Sequence, residues 1–305
     1  MKRPHHIGII LLLLPGPLLA QSRSFSILEP SASQSSSAPD SKPAKTSDSQ
    51  PITFYGFDSN EYPGDDQWTD LRRFFSYTGF WLNVPPGAMT NPWAGKRRAV
   101  EEAGLGYLVL FNGRLDKELH KALDAAKVGS ADAALATEAG RREGFPSGTV
   151  IFLDIEEGGR MLPEQKAYIY AWVDGVTAAG FRAGIYCSGI PASEGHGVTV
   201  ITADDLRQNA AGREIVFWVA NDGCPPSPGC MLNRKSLSPV ESGVGFADVW
   251  QFAQSPRRPQ MTHQCKRTYA PDQNCYEVGG GKKGRLALDM NTAREPDPSH
   301  GRDPK

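Results

Sequence analysis

Val150-Ile-Phe-Leu-Asp154-Ile-Glu156-Glu157-Gly158-Gly159 decides the reading of this chain. An apolar, β-branched and aromatic run ends in Asp-x-Glu and then in two glycines. That is the pattern of a buried strand delivering acids to a loop. Residues i and i+2 of a strand share a face, so Asp154 and Glu156 are expected to project together, their Cα atoms about 6.6 Å apart at strand rise. Two carboxyl groups so placed suit work on one glycosidic bond. Glu157 is expected to face the other way, as a surface residue.

Working outward, seven more short apolar runs read as strands: 53–58, 78–82, 107–111, 183–187, 215–220, 248–252 and 286–290. Helical spacing separates the early ones. Residues 66–77 carry Trp68, Leu71, Phe74 and Phe75, and 95–103 precede the third strand. Residues 130–143 are Ala-rich, with Ser130 as a candidate N-cap and Gly144 as a stop. Segments 163–179 and 202–209 complete the helices. Strands alternating with helices imply a parallel sheet, and eight strands close into a barrel. The alternation fails after the sixth strand, because 223–245 and 253–285 lack a helical period. The fold class expected is therefore α/β: an irregular TIM-like (β/α) barrel with helices missing after the later strands. Its late loops would cover the C-terminal face, where barrel active sites are built.

The ends of the chain read differently. Residues 1–20 carry Lys2 and Arg3, a short apolar run and a terminal small residue, which is the form of a signal peptide, with a short uncleaved N-terminal anchor as the alternative. The apolar run falls short of the roughly 20 residues that span a bilayer, so no integral membrane segment is expected after cleavage. An exported protein, periplasmic or extracellular, follows. Residues 21–50 contain 11 Ser and 3 Pro and are expected to be a disordered linker. Residues 51–295 would form the barrel and 296–305 a disordered tail. Without residues 1–20, Lys plus Arg falls from 33 to 31 against 34 Asp plus Glu, a net charge of −3. Such a chain carries no electrostatic footprint for nucleic acid.

Two further acids fall at strand ends, Asp58 in Phe57-Asp-Ser-Asn60 and Asp289 in Leu288-Asp-Met-Asn291. The first and eighth strands of a closed barrel are neighbours, so both acids are expected at the mouth with Asp154 and Glu156. Mutual repulsion and burial would then keep one of the four protonated near neutral pH. A lone strand-end Asp more often caps a helix or accepts loop N–H groups. Four together are harder to explain that way. Tyr186, Trp218, Trp250 and Gln251, at or near strand ends, are candidate substrate-binding residues, since sugar sites mix aromatic faces with a few polar groups.

Five cysteines, Cys187, Cys224, Cys230, Cys265 and Cys275, lie in the second half. Export makes disulfides the default, and Cys224–Cys230 and Cys265–Cys275 are the expected pairs, with Cys187 buried and free, although sequence alone does not determine the pairing. Their spacings with His263 fit no zinc pattern, so no metal is expected.

Tyr55-Gly-Phe-Asp58-Ser-Asn resembles the opening strand of the family 25 glycoside hydrolases, the cell-wall lysozymes or muramidases. Leu153-Asp-Ile-Glu156, Phe217-Trp-Val-Ala220, Val249-Trp-Gln251 and Leu288-Asp-Met-Asn291 resemble later strands of that family, in the same order. Residues 80–87 and the 224–230 loop depart from it. The whole chain is more similar to the related "glycoside-hydrolase-like" domains of exported bacterial proteins. The resemblance implies Glu156 as general acid/base and Asp154 as the residue orienting a substrate acetamido group during its attack on the anomeric carbon. Asp58 and Asp289 would line the same subsite, and no cofactor would be needed. The implied partner is a cell-wall glycan or other polysaccharide met by a monomer. A non-catalytic glycan-binding barrel is the alternative. An esterase is disfavoured, since no Gly-x-Ser-x-Gly elbow occurs.

Overall fold

The computed structural model describes residues 52–221, 237–254 and 288–304, all within one compact unit spanning Ser49–Lys305. The expected signal segment, the linker 21–50 and Cys224, Cys230, Cys265 and Cys275 lie outside the described residues. The strands are β1 (Phe54–Asp58), β2 (Tyr77–Trp81), β3 (Gly106–Asn112), β4 (Val150–Asp154), β5 (Arg182–Ser188), β6 (Ala192–Gly195), β7 (Val198–Val200), β8 (Val216–Ala220), β9 (Val249–Ala253) and β10 (Asp289–Ala293). The helices are α1 (Trp68–Leu71), α2 (Arg97–Glu102), α3 (Ala122–Glu143), α4 (Pro163–Ala178) and α5 (Thr202–Gln208).

Eight strands close a barrel in the order β1-β10-β9-β8-β5-β4-β3-β2, with helices between the early strands, so the fold is a TIM-like α/β barrel. Positions along β2, β4 and β9 are buried throughout, because one face looks into the barrel and the other is covered from outside. Large and small residues interlock inside. The Tyr77 ring occupies the space a Cβ would take at Gly56, and Phe152 does the same at Gly184. Phe152 meets Trp218 edge-to-face at 5.6 Å. Outside the barrel, Phe80, Tyr107 and Phe145 pack edge-to-face at 5.1–6.1 Å.

Several expectations are corrected. The final barrel strand begins at Asp289 and runs antiparallel to both neighbours, β9 and β1, so the sheet is not all parallel. Asp289 therefore opens its strand instead of closing it, and reversal of direction brings it to the same end as Asp58. The helix expected at 66–77 ends at Leu71, and β2 begins at Tyr77. Ser130 is not an N-cap. The Ala-rich run propagates back to Ala122, and the Ser130 hydroxyl donates to Ala126 O within α3. Gly144 does end α3, in the left-handed conformation. The β6–β7 hairpin was not foreseen. Of the loop expected at 223–245, the described part holds a 3-10 turn, Pro239–Ser242.

The segment expected to be a disordered tail is instead held under the barrel by hydrogen bonds as far as Asp303. Ser299 accepts from Val109 N–H on Oγ and from Val150 N–H on its carbonyl, both at 2.8 Å, and donates its own N–H to Tyr107 O. Asp297 accepts from Tyr107 N–H at 2.8 Å, and Arg97 reaches both Gly301 O and Asp303. The starts of β3 and β4 expose backbone N–H groups that need acceptors, and this short polar segment supplies them. Polar composition alone suggested disorder. Among the described residues no helix is long and apolar enough to cross a membrane.

Candidate functional site

Strand register builds the site before any side chain is considered. Asn112, Asp154, Tyr186 and Trp218 lie abreast on β3, β4, β5 and β8. Across the antiparallel seam, Asp58 sits directly opposite Asp289. Like charges at opposed positions repel, so this pairing needs compensation.

Compensation comes from amides. Asp58 Oδ1 accepts from Asn291 Nδ2 at 2.6 Å and from Gln251 Nε2 at 3.0 Å. Asn291 Oδ1 in turn accepts from Trp218 Nε1 at 2.9 Å, and Gln251 Oε1 accepts from the Tyr186 hydroxyl at 2.8 Å. The chain has a direction. An indole N–H only donates, so the Asn291 oxygen must face Trp218 and its NH₂ must face Asp58. Asp58 then serves as a double acceptor. With the Gln251 nitrogen also on Asp58, its oxygen faces Tyr186, whose proton is thereby committed. Below this network Gly79 leaves room for Asp58: a Cβ there would lie 2.6 Å from Asp58 Cβ.

Tyr186 reports what surrounds it. Its phenol is pushed well above the ordinary value, first by burial and then by the negative charges of Asp154, Asp58, Glu156 and Asp289. All four acids singled out in the sequence act on this one hydroxyl. Asp154, Asp58 and Asp289 are 3%, 6% and 9% exposed, whereas Glu156 is exposed. Glu156 lies beyond the end of β4, so loop geometry and not strand alternation places it.

Residues 82–223 match the Rv2525c-like, glycoside hydrolase-like domain. The matched stretch includes Asp154, Glu156, Tyr186 and Trp218, and ends before Gln251 and Asp289. Among solved structures, an uncharacterized B. stearothermophilus protein aligns with a TM-score of 0.51 at 18% identity, over 79% of this chain and 95% of that one, which shows a shared fold. The Mycobacterium tuberculosis Tat-secreted protein Rv2525c aligns with a TM-score of 0.47 at 14% identity, over 80% of this chain and 96% of that one. The Clostridium perfringens spore cortex lytic enzyme SleM gives 0.47 and 14%, over 81% and 68%. No curated protein matches the chain.

The loop carrying Glu156 is stapled at several points. Glu157 Oε2 accepts from Asp116 N–H at 2.8 Å and from Gln165 Nε2 at 2.6 Å. Its expected role as an idle surface residue is thus corrected: it is half-buried and ties the loop to α4 and to the loop after β3. Gly159 O accepts from the Thr202 hydroxyl, Arg160 forks onto Glu194 of the hairpin, and buried Asp205 accepts from Met161 N–H. The loop after β1 is pinned too, because the indoles of Trp81 and Trp93 both donate to Ser59 O at 3.1 Å.

Trp218 and Trp250 are not placed as sugar platforms. Trp218 is fully buried, 4.8 Å from the Tyr186 ring, and its N–H is spent on Asn291. Trp250 alternates with Gln251, so it points out of the barrel, where it donates to Asn221 O. Tyr186 and Gln251 belong to the network around Asp58. Asn291 was missed as a site residue. The signal was available, since Asp289-x-Asn291 puts both on one strand face. Cys187 is a buried free thiol, pushed up by burial. Among the described residues no group of three or more His, Cys, Asp or Glu side chains is arranged to hold a metal ion.

Proposed function

We propose that this chain is an exported glycoside hydrolase, related to the family 25 lysozymes, that cleaves an N-acetylated cell-wall glycan. The observation that carries this reading is the convergence of Asp58, Asp154, Glu156 and Asp289 on the Tyr186 hydroxyl at the C-terminal end of a TIM-like barrel. Residues 1–20 would direct export and residues 21–50 would tether the barrel.

In this mechanism Glu156, the solvent-facing acid, protonates the glycosidic oxygen. The substrate acetamido oxygen attacks the anomeric carbon as the leaving sugar departs, and Asp154 stabilises the positive charge that develops on the acetamido group. Water then opens the cyclic intermediate, giving its proton to the Glu156 carboxylate, and configuration is retained. Asp58, clamped by Asn291 and Gln251, and Asp289 supply fixed negative charge beside the cationic centre.

The test is incubation of the protein with purified peptidoglycan, followed by mass analysis of released sugars. Wild type should release muropeptides. Glu156→Gln should lose about 10²–10⁴-fold in rate without loss of fold, and Asp154→Asn should approach that loss. Full activity in Glu156→Gln refutes the mechanism. Saturable binding of peptidoglycan by wild type without any cleavage would establish the binding-barrel alternative.

A further inference from the structure

The opposite end of the barrel holds a separate cavity of about 210 Å³. Its polar lining comes from Arg182 at the start of β5, Asp248 just before β9, Arg294 and Glu295 just after β10, and His300 of the packed C-terminal segment. The mouth is acidic, whereas this floor brings two guanidinium groups together with two carboxylates.

Neither the Arg182 nor the Arg294 side chain makes a hydrogen bond or ion pair among the described residues. The carboxylates are partly engaged. Asp248 Oδ2 accepts from Phe217 N–H at 3.1 Å, and Glu295 lies 3.3 Å from His300 Nε2. Burial pushes the Asp248 carboxyl up, and the charges of Arg294 and Arg182, among the cations acting on it, pull the other way. A cavity this small falls below the roughly 300–1,000 Å³ of drug-sized sites, so its occupant has few heavy atoms. A dianion would meet two carboxylates and a plain cation would meet two guanidinium groups. A molecule carrying one charge of each sign meets neither conflict, and a guanidinium fork matches a carboxylate in two parallel hydrogen bonds.

We propose that this cavity binds a small zwitterion of the α-amino-acid class, its carboxylate on Arg182 and Arg294 and its ammonium toward Asp248 and Glu295. The site is independent of the carboxylate cluster at the mouth, and its occupant is not the glycan.

Titration of the full chain with alanine, followed by calorimetry and by amide chemical shifts, tests this. Alanine should bind saturably in the millimolar range and shift residues around Arg182 and His300. N-acetylalanine, which lacks the ammonium, and alaninamide, which lacks the carboxylate, should each bind at least about tenfold more weakly, a difference of about 1.4 kcal/mol. The double variant Arg182→Gln/Arg294→Gln, altered at two exposed side chains and checked by thermal melting, should lose alanine binding by the same factor. Glu156→Gln should bind alanine as wild type does. No saturable alanine binding, undiminished binding by the double variant, or tighter binding of inorganic phosphate than of alanine would each overturn the proposal.

Discussion

Replacing Asn291 by Leu breaks the bond chain that holds Asp58. The variant keeps side-chain size but removes the 2.6 Å donor to Asp58 and the acceptor for Trp218 Nε1. Loss of a hydrogen bond to a charged group costs about 1.5–3 kcal/mol, and a buried indole N–H left unsatisfied costs about 1–3 kcal/mol. The expected destabilisation is therefore about 2.5–6 kcal/mol, less what the extra apolar burial of Leu returns. At roughly 2–4 °C per kcal/mol for a domain near this size, that is a fall in melting temperature of about 5–24 °C before the return from Leu burial is subtracted. Trp218→Phe in the same background decides the cause. Phenylalanine keeps the edge-to-face contact with Tyr186 but has no N–H, so the orphaned donor disappears. Trp218→Phe should destabilise wild type yet be near neutral in Asn291→Leu, a coupling of about 1–3 kcal/mol in a four-protein urea-unfolding cycle. A coupling under about 0.5 kcal/mol, the level at which distant sites simply add, would refute the Trp218–Asn291–Asp58 chain.

Deleting residues 296–305 should destabilise the barrel strongly, since it strands the N–H groups of Tyr107, Val109 and Val150 at about 1–3 kcal/mol each; an unchanged melting curve would show that the segment does not hold β3 and β4. Glu157→Ala should cost stability near the lower end of about 1.5–3 kcal/mol, because the residue is half-exposed, and should slow glycan release by loosening the Glu156 loop. If both stability and rate match wild type, Glu157 is the idle surface residue first expected. Asp248 binds its proton more tightly in the folded state than in the unfolded state, so its contribution favours folding below the unfolded carboxylate pKa and is lost as pH rises through the folded value. Asp248→Asn, which keeps an acceptor for Phe217 N–H, should therefore weaken the decline in stability from acid toward neutral pH. Urea midpoints across that range check it, and a variant with an unchanged profile would contradict the sign.

Some of this protein is local in origin and was readable without coordinates. The strand cores of β1 to β5, β8 and β9 follow from short β-branched and aromatic runs between breakers, and α3 and α4 from helical composition closed by Gly144 and opened by Pro163. Those signals depend on neighbours a few residues apart, which a sequence displays directly. Asp58, Asp154, Glu156 and Asp289 could be named for the same reason, each closing or following an apolar run.

What tertiary structure alone decided involves partners far apart in the chain. Asn291 and Asp58 are 233 residues apart, and no local pattern marks one as the donor to the other. The antiparallel sense of β10 is a property of barrel closure, and it is this sense that sets Asp289 across from Asp58. Trp218 and Trp250 looked alike as strand-end aromatics, yet closure turned one into the barrel and the other out of it. The segment after residue 295 has the composition of a disordered tail because its polar atoms were judged without their partners. Once β3 and β4 present unpaired backbone N–H groups at the barrel floor, the same Asp297 and Ser299 become the acceptors that order it.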